Sequence, residues 1–265
     1  MDPELHALKP STRWLAQPLE VHDEIDSTNL RAEALAARGA AAGTVVLADR
    51  QSAGRGRLGR SFFSPAGVGL YFSVILRPEC APERAYEHVF AAAVAVAESA
   101  AHELADRSAV EIKWPNDVLL SRRKASGINL SVQLNGARID SLVLGVCVNV
   151  NTAREAFPPE LREIATSLRA ELGRPVDRAR LAGELFQRLE HEVDRLAEAG
   201  FPEVLDRWKK FFRMRGERVR VAAAPALAVE GAVRDVDGSG ALLVEGPGGV
   251  ERVVAGDVTL LRRGA

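Results

Sequence analysis

The sequence predicts an α+β protein with a mixed or antiparallel sheet, packed helices and a small β module at the C-terminus. Apolar runs at 44–48 and 69–76 and an alternating pair of segments within 125–150 have strand character. Segments 83–105 and 177–200 have helical character instead. The chain of 265 residues, 47% hydrophobic and 27% charged, is long enough for one large domain or two unequal ones.

Composition limits the possible partners. A formal net charge of -1 gives no global field for nucleic acid, so any phosphate binding must be local. Cys80 and Cys147 form no metal-ligand cluster. Two free thiols fit a reducing cytosol better, and a single disulfide between them is the alternative. The first twenty residues lack the order of a signal peptide, and no apolar run approaches the ~20 residues of a membrane span. We therefore expect a cytoplasmic protein.

A glycine- and arginine-rich segment, Gly54 to Arg60, lies between the first two predicted strands; we call it the glycine loop. Glycine lets backbone amides approach a ligand, and arginine supplies a planar fork of donors for phosphate or carboxylate. A dinucleotide site would pass directly into a helix, which Pro65 opposes. Kinase and P-loop motifs are missing from the sequence. The loop is expected to be mobile without ligand; a merely solvated basic loop is the alternative.

Polar residues precede two other predicted elements. Asp26 to Asn29 stand before a helix that Gly39 closes, so these side chains either cap the helix or face a ligand. Val110 to Ile112 predict a strand that ends in a turn at Pro115, which crowds Lys113, Asn116 and Asp117 together. Such a turn suits a polar site, although Asn-Asp turns without chemistry are common.

Two alternating segments, 125–134 and 139–150, predict a hairpin with a type I′ turn at Asn135-Gly136. Period-two counting gives it an apolar back and a sparse front that includes Gly127 and Gly145. Helices are expected at 177–200 and 202–212. After Gly216, short Val-rich segments predict a β barrel or sandwich.

Five motifs then occur in register: Asp26-Ser27-Thr28-Asn29, Gln51 to Arg60, Lys113 to Asp117, Lys124 to Ile128, and Gly145 to Asn151. Over roughly residues 22–152 their order and spacing resemble the biotin–protein ligase family. The resemblance implies a class II synthetase-like catalytic domain over 1–214 and an SH3-like β-barrel over 215–265. Since only 25 residues precede Asp26, we expect the enzyme-only class without the N-terminal DNA-binding domain.

The resemblance also implies chemistry. Biotin reacts with ATP and Mg²⁺ to give biotinyl-5′-adenylate, and a lysine of a biotin carboxyl carrier protein then takes the biotin; the enzyme is a monomer or homodimer and binds no DNA or membrane. The expected catalytic residues are Lys124, Arg57 and Asp117, with Asp117 also on Mg²⁺. The expected biotin-binding residues are Ser27, Thr28, Asn29, Gln51, Gly54, Arg55, Lys124, Gly127 and Gly145. The expected ATP-binding residues are Arg57, Arg60, Phe62, Asn116, Lys124 and Asn149.

Three front-face residues depart from the family pattern. Cys147 replaces a usual glycine, Asn129 an aliphatic residue and Ser131 a glutamate, so we expect biotin to bind less tightly than it would without Cys147 and Asn129. A lipoate–protein ligase shares the fold but lacks the glycine loop. A non-catalytic biotin-sensing module is the other alternative, and the presence of Lys124 and Asp117 argues against it.

Overall fold

The computed structural model describes residues 3–224 and 227–261. Within 3–224, seven strands form one sheet in the order β1-β2-β3-β7-β6-β5-β4; β1 pairs with β2 in parallel and all other pairs are antiparallel. The strands are β1 (Leu19–Ile25), β2 (Val45–Gln51), β3 (Gly69–Leu76), β4 (Val110–Lys113), β5 (Asp117–Leu120), β6 (Arg123–Asn135) and β7 (Arg138–Asn149). The predicted mixed sheet is confirmed.

Helices cover both faces of this sheet. Those in the described residues are α1 (Pro3–His6), α2 (Thr28–Ala37), α3 (Glu87–Glu103), α4 (Leu168–Leu172), α5 (Arg178–Glu198) and α6 (Phe201–Lys209). The back face of the sheet packs on α3, α5 and α6. In this layer the ring centres of Phe72 and Phe186 lie 5.0 Å apart in an edge-to-face contact, and those of Phe90 and Trp208 lie 4.9 Å apart. The front face of the sheet packs on α2 through a small hydrophobic cluster that includes Ala32 and Ala36 of the helix. None of the helices in these ranges combines the length and apolar character that crossing a membrane requires.

A second sheet follows α6 and confirms the expected C-terminal β module. Its five strands within the described residues are antiparallel, in the order β11-β10-β9-β8-β12. They are β8 (Arg218–Ala224), β9 (Leu227–Val236), β10 (Leu242–Gly246), β11 (Gly249–Val253) and β12 (Asp257–Leu260). Val219, Val221 and Val244 belong to the same apolar cluster as α3 and the first sheet. The two sheets therefore share one core.

The N-terminal leader is held on α5 by a buried carboxylate. Glu190 accepts hydrogen bonds from the backbone N–H groups of Arg13, Trp14 and Leu15 at 2.8 to 3.0 Å. These donors lower the pKa of Glu190 despite opposition from burial, the largest single influence. The sequence predicted neither this anchor nor β1, because Asp23 interrupts the apolar alternation of Leu19, Val21 and Ile25 in a half-exposed edge strand.

The hairpin differs from its prediction in two ways. Asn135 pairs with Arg138, so the two-residue loop is Gly136-Ala137; of these two only Gly136 has positive φ (60°). The type I′ turn at Asn135-Gly136 is therefore wrong, and glycine at the first central position is the type II′ pattern. The apolar back face of the hairpin also extends beyond the hydrophobic core, because Val132 and Leu134 are 41% and 57% exposed.

Candidate active site

The turn between β4 and β5 positions three polar side chains, as the sequence predicted. It contains a cis Trp114–Pro115 bond, and the buried indole of Trp114 donates to the Gly240 carbonyl of the second sheet at 2.9 Å. Lys113 and Asp117 face each other across the turn in the register of β4 and β5. Asn116 is buried between them and donates to the Ile128 carbonyl at 2.9 Å. This β4–β5 turn, which we call the site turn, is thus attached to both sheets.

Lys124 and Asp117 form an ion pair at the beginning of β6. The Lys124 ammonium lies 2.7 Å from a carboxylate oxygen of Asp117 and 6.0 Å from the centre of the Phe62 ring. A Cβ added to Gly127 would come within 3.1 Å of the Lys124 side chain, so glycine at this position leaves room for the lysine. The three predicted residues Lys124, Asp117 and Phe62 are therefore brought together around one ammonium.

A buried polar cluster lies under the N-terminus of α2. It consists of Ser27, Thr28, Asn29, Gln51, Ser64 and Ser73. Gln51 accepts from the backbone N–H of Thr28 at 2.9 Å and donates to Ser64 at 3.1 Å. The Ser73 hydroxyl lies 2.9 Å from the Thr28 hydroxyl and 3.0 Å from the side-chain amide oxygen of Asn29.

Two polar groups of this buried polar cluster have no hydrogen-bond partner among the described residues. They are the Ser27 hydroxyl and the amide nitrogen of Asn29, on residues that are 0% and 4% exposed. Ser27 precedes α2 but its side chain makes no cap hydrogen bond, so the capping interpretation is wrong for this hydroxyl. A buried polar group without a partner is costly, and a polar ligand would satisfy both.

The departures Cys147 and Asn129 lie on the front face as counted, opposite Gly127 and Gly145 respectively. The Cys147 sulfur is buried, 3.7 Å from the Gln51 amide nitrogen, and burial raises the pKa of this thiol to about 12. Gly127, which lies against the Lys124 side chain, pairs with Cys147, so the thiol lies between Lys124 and the buried polar cluster. The space over Gly145 is taken by Asn29, since an added Cβ would lie 2.0 Å from its oxygen.

The glycine loop is docked on the rest of the molecule by two of its arginines. Arg57 donates to Asn116 at 2.8 Å and to the Gly256 carbonyl at 3.2 Å, and its guanidinium carbon lies 5.8 Å from the Tyr86 ring centre. Arg60 forms an ion pair with Asp257. These contacts join the loop to the second sheet.

Arg55 and Gly54 complete the loop. Arg55 is exposed, and it has no ion pair among the described residues. Gly54 packs tightly, because an added Cβ would lie 2.7 Å from the Ser64 hydroxyl and 2.8 Å from the Phe62 carbonyl. Any side chain at position 54 would therefore push the loop away from the buried polar cluster.

A cavity of about 1080 Å³ lies beside Lys124, between the glycine loop and the second sheet. Five predicted residues line it: Arg60, Phe62, Asp117, Lys124 and Asn149. Asn149 also donates to the Thr166 carbonyl at 3.0 Å, which holds the cavity wall in place. Of the residues that the structure describes, the lining includes no member of the buried polar cluster. Of the predicted ATP-binding residues, Arg57 and Asn116 do not line this cavity. Of the predicted biotin-binding residues, the buried polar cluster contains Ser27, Thr28, Asn29 and Gln51.

Sequence reasoning assigned no specific role to several residues of this region. Lys113 lines the cavity, and burial lowers the pKa of its ammonium. Tyr86 lies against Arg57 with its hydroxyl unpartnered among the described residues, and burial raises the pKa of this phenol to about 12. Asp257 also lines the cavity. Lys113 belongs to a motif that the sequence had singled out, whereas Tyr86 and Asp257 give no local signal.

Known proteins match both parts of this architecture. The Biotin/lipoate A/B protein ligase family matches residues 21–149, and the Biotin protein ligase C terminal domain matches residues 216–261. The biotin–[acetyl-CoA-carboxylase] ligase of Mycobacterium tuberculosis is 36% identical over 92% of this chain and 89% of its own length. That of Paracoccus denitrificans is 32% identical over 88% of this chain and 96% of its own length.

A solved structure agrees with them. The biotin protein ligase from Aquifex aeolicus in complex with biotin and ATP has a TM-score of 0.78 and 28% identity, covering 92% of this chain and 99% of that one. The two sheets and the lysine-centred site thus define a protein of the biotin and lipoate ligase class. Within that class, the chain belongs to the biotin protein ligase family, and it is a biotin–protein ligase.

Proposed function

We propose that this enzyme activates biotin with ATP as biotinyl-5′-adenylate and transfers the biotin to a lysine of a biotin carboxyl carrier protein. One observation carries the proposal: the Lys124–Asp117 ion pair lies between a cavity lined by cationic side chains and a buried polar cluster with two unsatisfied groups. The cavity has the size and charge for a nucleotide, and the buried polar cluster has the donors for a small polar ring.

The buried polar cluster suits the ureido ring of biotin. The Ser27 hydroxyl and the Asn29 amide can donate to the ureido oxygen, and the ring N–H groups need acceptors such as the Ser27 or Thr28 oxygen. The Cys147 side chain lies beside Gln51 and takes up part of the space next to the buried polar cluster. Biotin's valeryl chain would then run past Gly127 and bring its carboxylate to Lys124.

Lys124 provides the positive charge that the first step needs. A carboxylate oxygen of biotin attacks the α-phosphorus, the bond to the β-phosphate oxygen breaks, and pyrophosphate leaves with the electron pair. Both reactants are anions, so a fixed ammonium at the point of attack lowers the barrier by electrostatic stabilisation. In the second step the acceptor lysine amine attacks the acyl carbon, AMP leaves, and the amine loses a proton.

Mg²⁺ fits this site as a companion of ATP. Mg²⁺ is commonly held by one or two carboxylates together with substrate phosphates. Asp117 supplies one carboxylate at the cavity, and among the described residues it belongs to no group of three metal-ligating side chains. We therefore propose that Mg²⁺ arrives with ATP, that Asp117 contacts it, and that its charge balances the phosphates.

Pyrophosphate release tests the first step. We expect release from the purified enzyme with Mg²⁺ only when biotin and ATP are both present. Release with ATP alone, or with lipoate as efficiently as with biotin, would contradict the proposal. For the second step, a biotin carboxyl carrier domain should gain one biotin by intact mass, and its acceptor Lys→Arg variant should gain none.

A further inference from the structure

Lys113 ends β4 at the edge of the cavity, opposite Asp117 in the β4–β5 register. The neighbouring lining includes Arg60 and Asp257, which join the glycine loop to the second sheet. Neither the ion pair of Lys124 nor the buried polar cluster uses Lys113. A half-buried lysine facing a ligand-sized cavity therefore stands without a role.

The Lys113 ammonium has no ion pair within 4.0 Å among the described residues. Two carboxylates act on it from further away, Asp117 and Asp257. Each of these already has a closer cation: Lys124 lies 2.7 Å from Asp117, and Arg60 is paired with Asp257. The neighbouring acids are therefore shared with other cations.

The charges around Lys113 leave a local surplus of positive charge. Arg60, Lys113 and Lys124 carry three positive charges, against two negative charges on Asp117 and Asp257. Burial opposes the charged form of Lys113, and the nearby Lys124 and Arg60 add repulsion. An anion in the cavity would offset both costs, because it restores the interactions that burial removes.

We propose that Lys113 binds the β- and γ-phosphates of ATP and then the leaving pyrophosphate during biotin activation. The proposal rests on the function proposed above and assigns a second phosphate-binding lysine beside Lys124. When the bond between the α-phosphorus and the β-phosphate oxygen breaks, the electron pair stays on pyrophosphate. A cation already positioned there stabilises the charge as it develops. Lys124 would act on the attacking side and Lys113 on the leaving side.

Biotin-dependent exchange of labelled pyrophosphate into ATP tests this directly, because the assay yields KM values for both anions. We expect Lys113→Met to raise the KM for pyrophosphate and for ATP by at least about tenfold, the loss of one hydrogen bond to a charged group. Biotin binding without ATP, followed by calorimetry, should stay within about twofold, since Lys113 lies outside the buried polar cluster. Lys113→Arg should recover most of the exchange, because it keeps the charge.

Lys209→Met is the matched control. Lys209 is a half-buried lysine on α6, 3.5 Å from Asp235, and it does not line the cavity. Its loss should leave both KM values unchanged. If Lys113→Met folds, as judged by its melting temperature, and keeps wild-type KM values for pyrophosphate and ATP, the assignment is overturned.

Lys113→Gln provides a second variant should the methionine variant fail to fold, and it has the same expected and contradicting results. A rise in the KM for biotin equal to that for pyrophosphate would also overturn the assignment, since it would indicate a general disturbance of the turn. Wild-type enzyme without any biotin-dependent exchange would instead contradict the function proposed above, so the two failures can be told apart.

Discussion

At the scale of single residues, the proposed chemistry depends on the ion pair of Lys124 and Asp117. The Lys124 side chain is 37% exposed and that of Asp117 only 16%, so the carboxylate holds the ammonium at the edge of the cavity without enclosing it. A partly exposed ion pair of this kind contributes little to stability, about 1 kcal/mol or less. Its proposed value lies in catalysis, where the ammonium is in place before substrate arrives.

Lys124→Ala should therefore abolish adenylation and leave the fold intact. Losing a charge-assisted contact made mostly in the transition state typically costs ~10²-fold or more in rate. The measurement is the rate of biotin-dependent pyrophosphate release, with the melting temperature as the check on folding. Lys210→Ala, at an exposed lysine of the same chain, is the control and should keep full activity. A Lys124→Ala enzyme that retains most of its pyrophosphate release would remove Lys124 from the site.

Cys147 and Asn129 differ in what they should do to biotin binding. Cys147 is 6% exposed and lies against Gln51, so its sulfur takes room beside the buried polar cluster. Asn129 is only half-buried, and solvent can satisfy its amide. The expectation of looser biotin binding therefore depends on Cys147 rather than on both residues.

Calorimetric titration of biotin should show tighter binding by Cys147→Gly, by about 1 kcal/mol or roughly fivefold, because the variant relieves overpacking. Asn129→Leu should stay within about twofold, and Cys147→Ser, which keeps the size of the side chain, should resemble wild type. Tighter binding by wild type than by Cys147→Gly would mean that the thiol makes a productive contact with biotin.

At the scale of elements, the glycine loop gains order from contacts distant in sequence. Arg57 reaches Gly256, and Arg60 reaches Asp257 on β12. Within the loop, Gly56 donates to the Arg60 carbonyl at 2.7 Å and Phe62 to the Gly54 carbonyl at 2.9 Å. The arginine contacts are partly exposed, so they can exchange for phosphate contacts at small cost.

Amide hydrogen exchange over residues 54–60 should slow when biotin and ATP are both added, because the phosphates then hold the arginines more firmly than the carbonyl and carboxylate do. We expect the largest change at Gly56 to Gly59. Exchange over 87–103, the buried helix α3, provides the internal reference and should not change. Equal protection of 54–60 with and without ligands would exclude a closing loop.

Arg57→Gly should release the adenylate before transfer, since it removes the contacts to Asn116, Gly256 and Tyr86 together. Bystander proteins added to the reaction should then be biotinylated on their lysines, which a streptavidin blot detects. Arg174→Gly, an exposed loop arginine outside the cavity lining, should leave labelling on the carrier protein alone. Labelling by Arg57→Gly that stays confined to the carrier would show that Arg57 does not retain the adenylate.

Local sequence patterns predicted the elements whose periodicity is strong. Helices α3 and α5 and the β6–β7 hairpin fall where expected, because apolar spacing shows which face is buried. The turn at Pro115 also followed from local chemistry. Local patterns failed for β1, which is half-exposed along its length, and for Ser27, whose cap signal is indistinguishable from a ligand-facing hydroxyl. The contacts of Arg57 with Gly256 and Tyr86 depend on tertiary packing, which no local pattern encodes.

On the scale of the whole molecule, the second sheet is attached to the site turn. Trp114 is 1% exposed, lies in the common core, and donates to Gly240 between β9 and β10. The proposed boundary between 1–214 and 215–265 therefore separates two sheets that share their packing. We expect neither part to be stable alone, because cutting there would expose core side chains of both sheets.

Trp114→Phe tests this coupling, and the chain offers a matched control in Trp208→Phe. Both indoles are fully buried in the same apolar cluster, but the Trp208 N–H has no partner among the described residues, whereas that of Trp114 donates to Gly240. Both substitutions lose packing, and only Trp114→Phe also leaves a carbonyl unpaired, which costs ~1–3 kcal/mol more.

Urea unfolding should therefore show the larger loss of unfolding free energy for Trp114→Phe. Its rate of pyrophosphate release should also fall, since Lys113, Asn116 and Asp117 share the turn, while Trp208→Phe should remain active. Equal losses of stability and activity in the two variants would mean that the Trp114–Gly240 hydrogen bond does not couple the second sheet to the site.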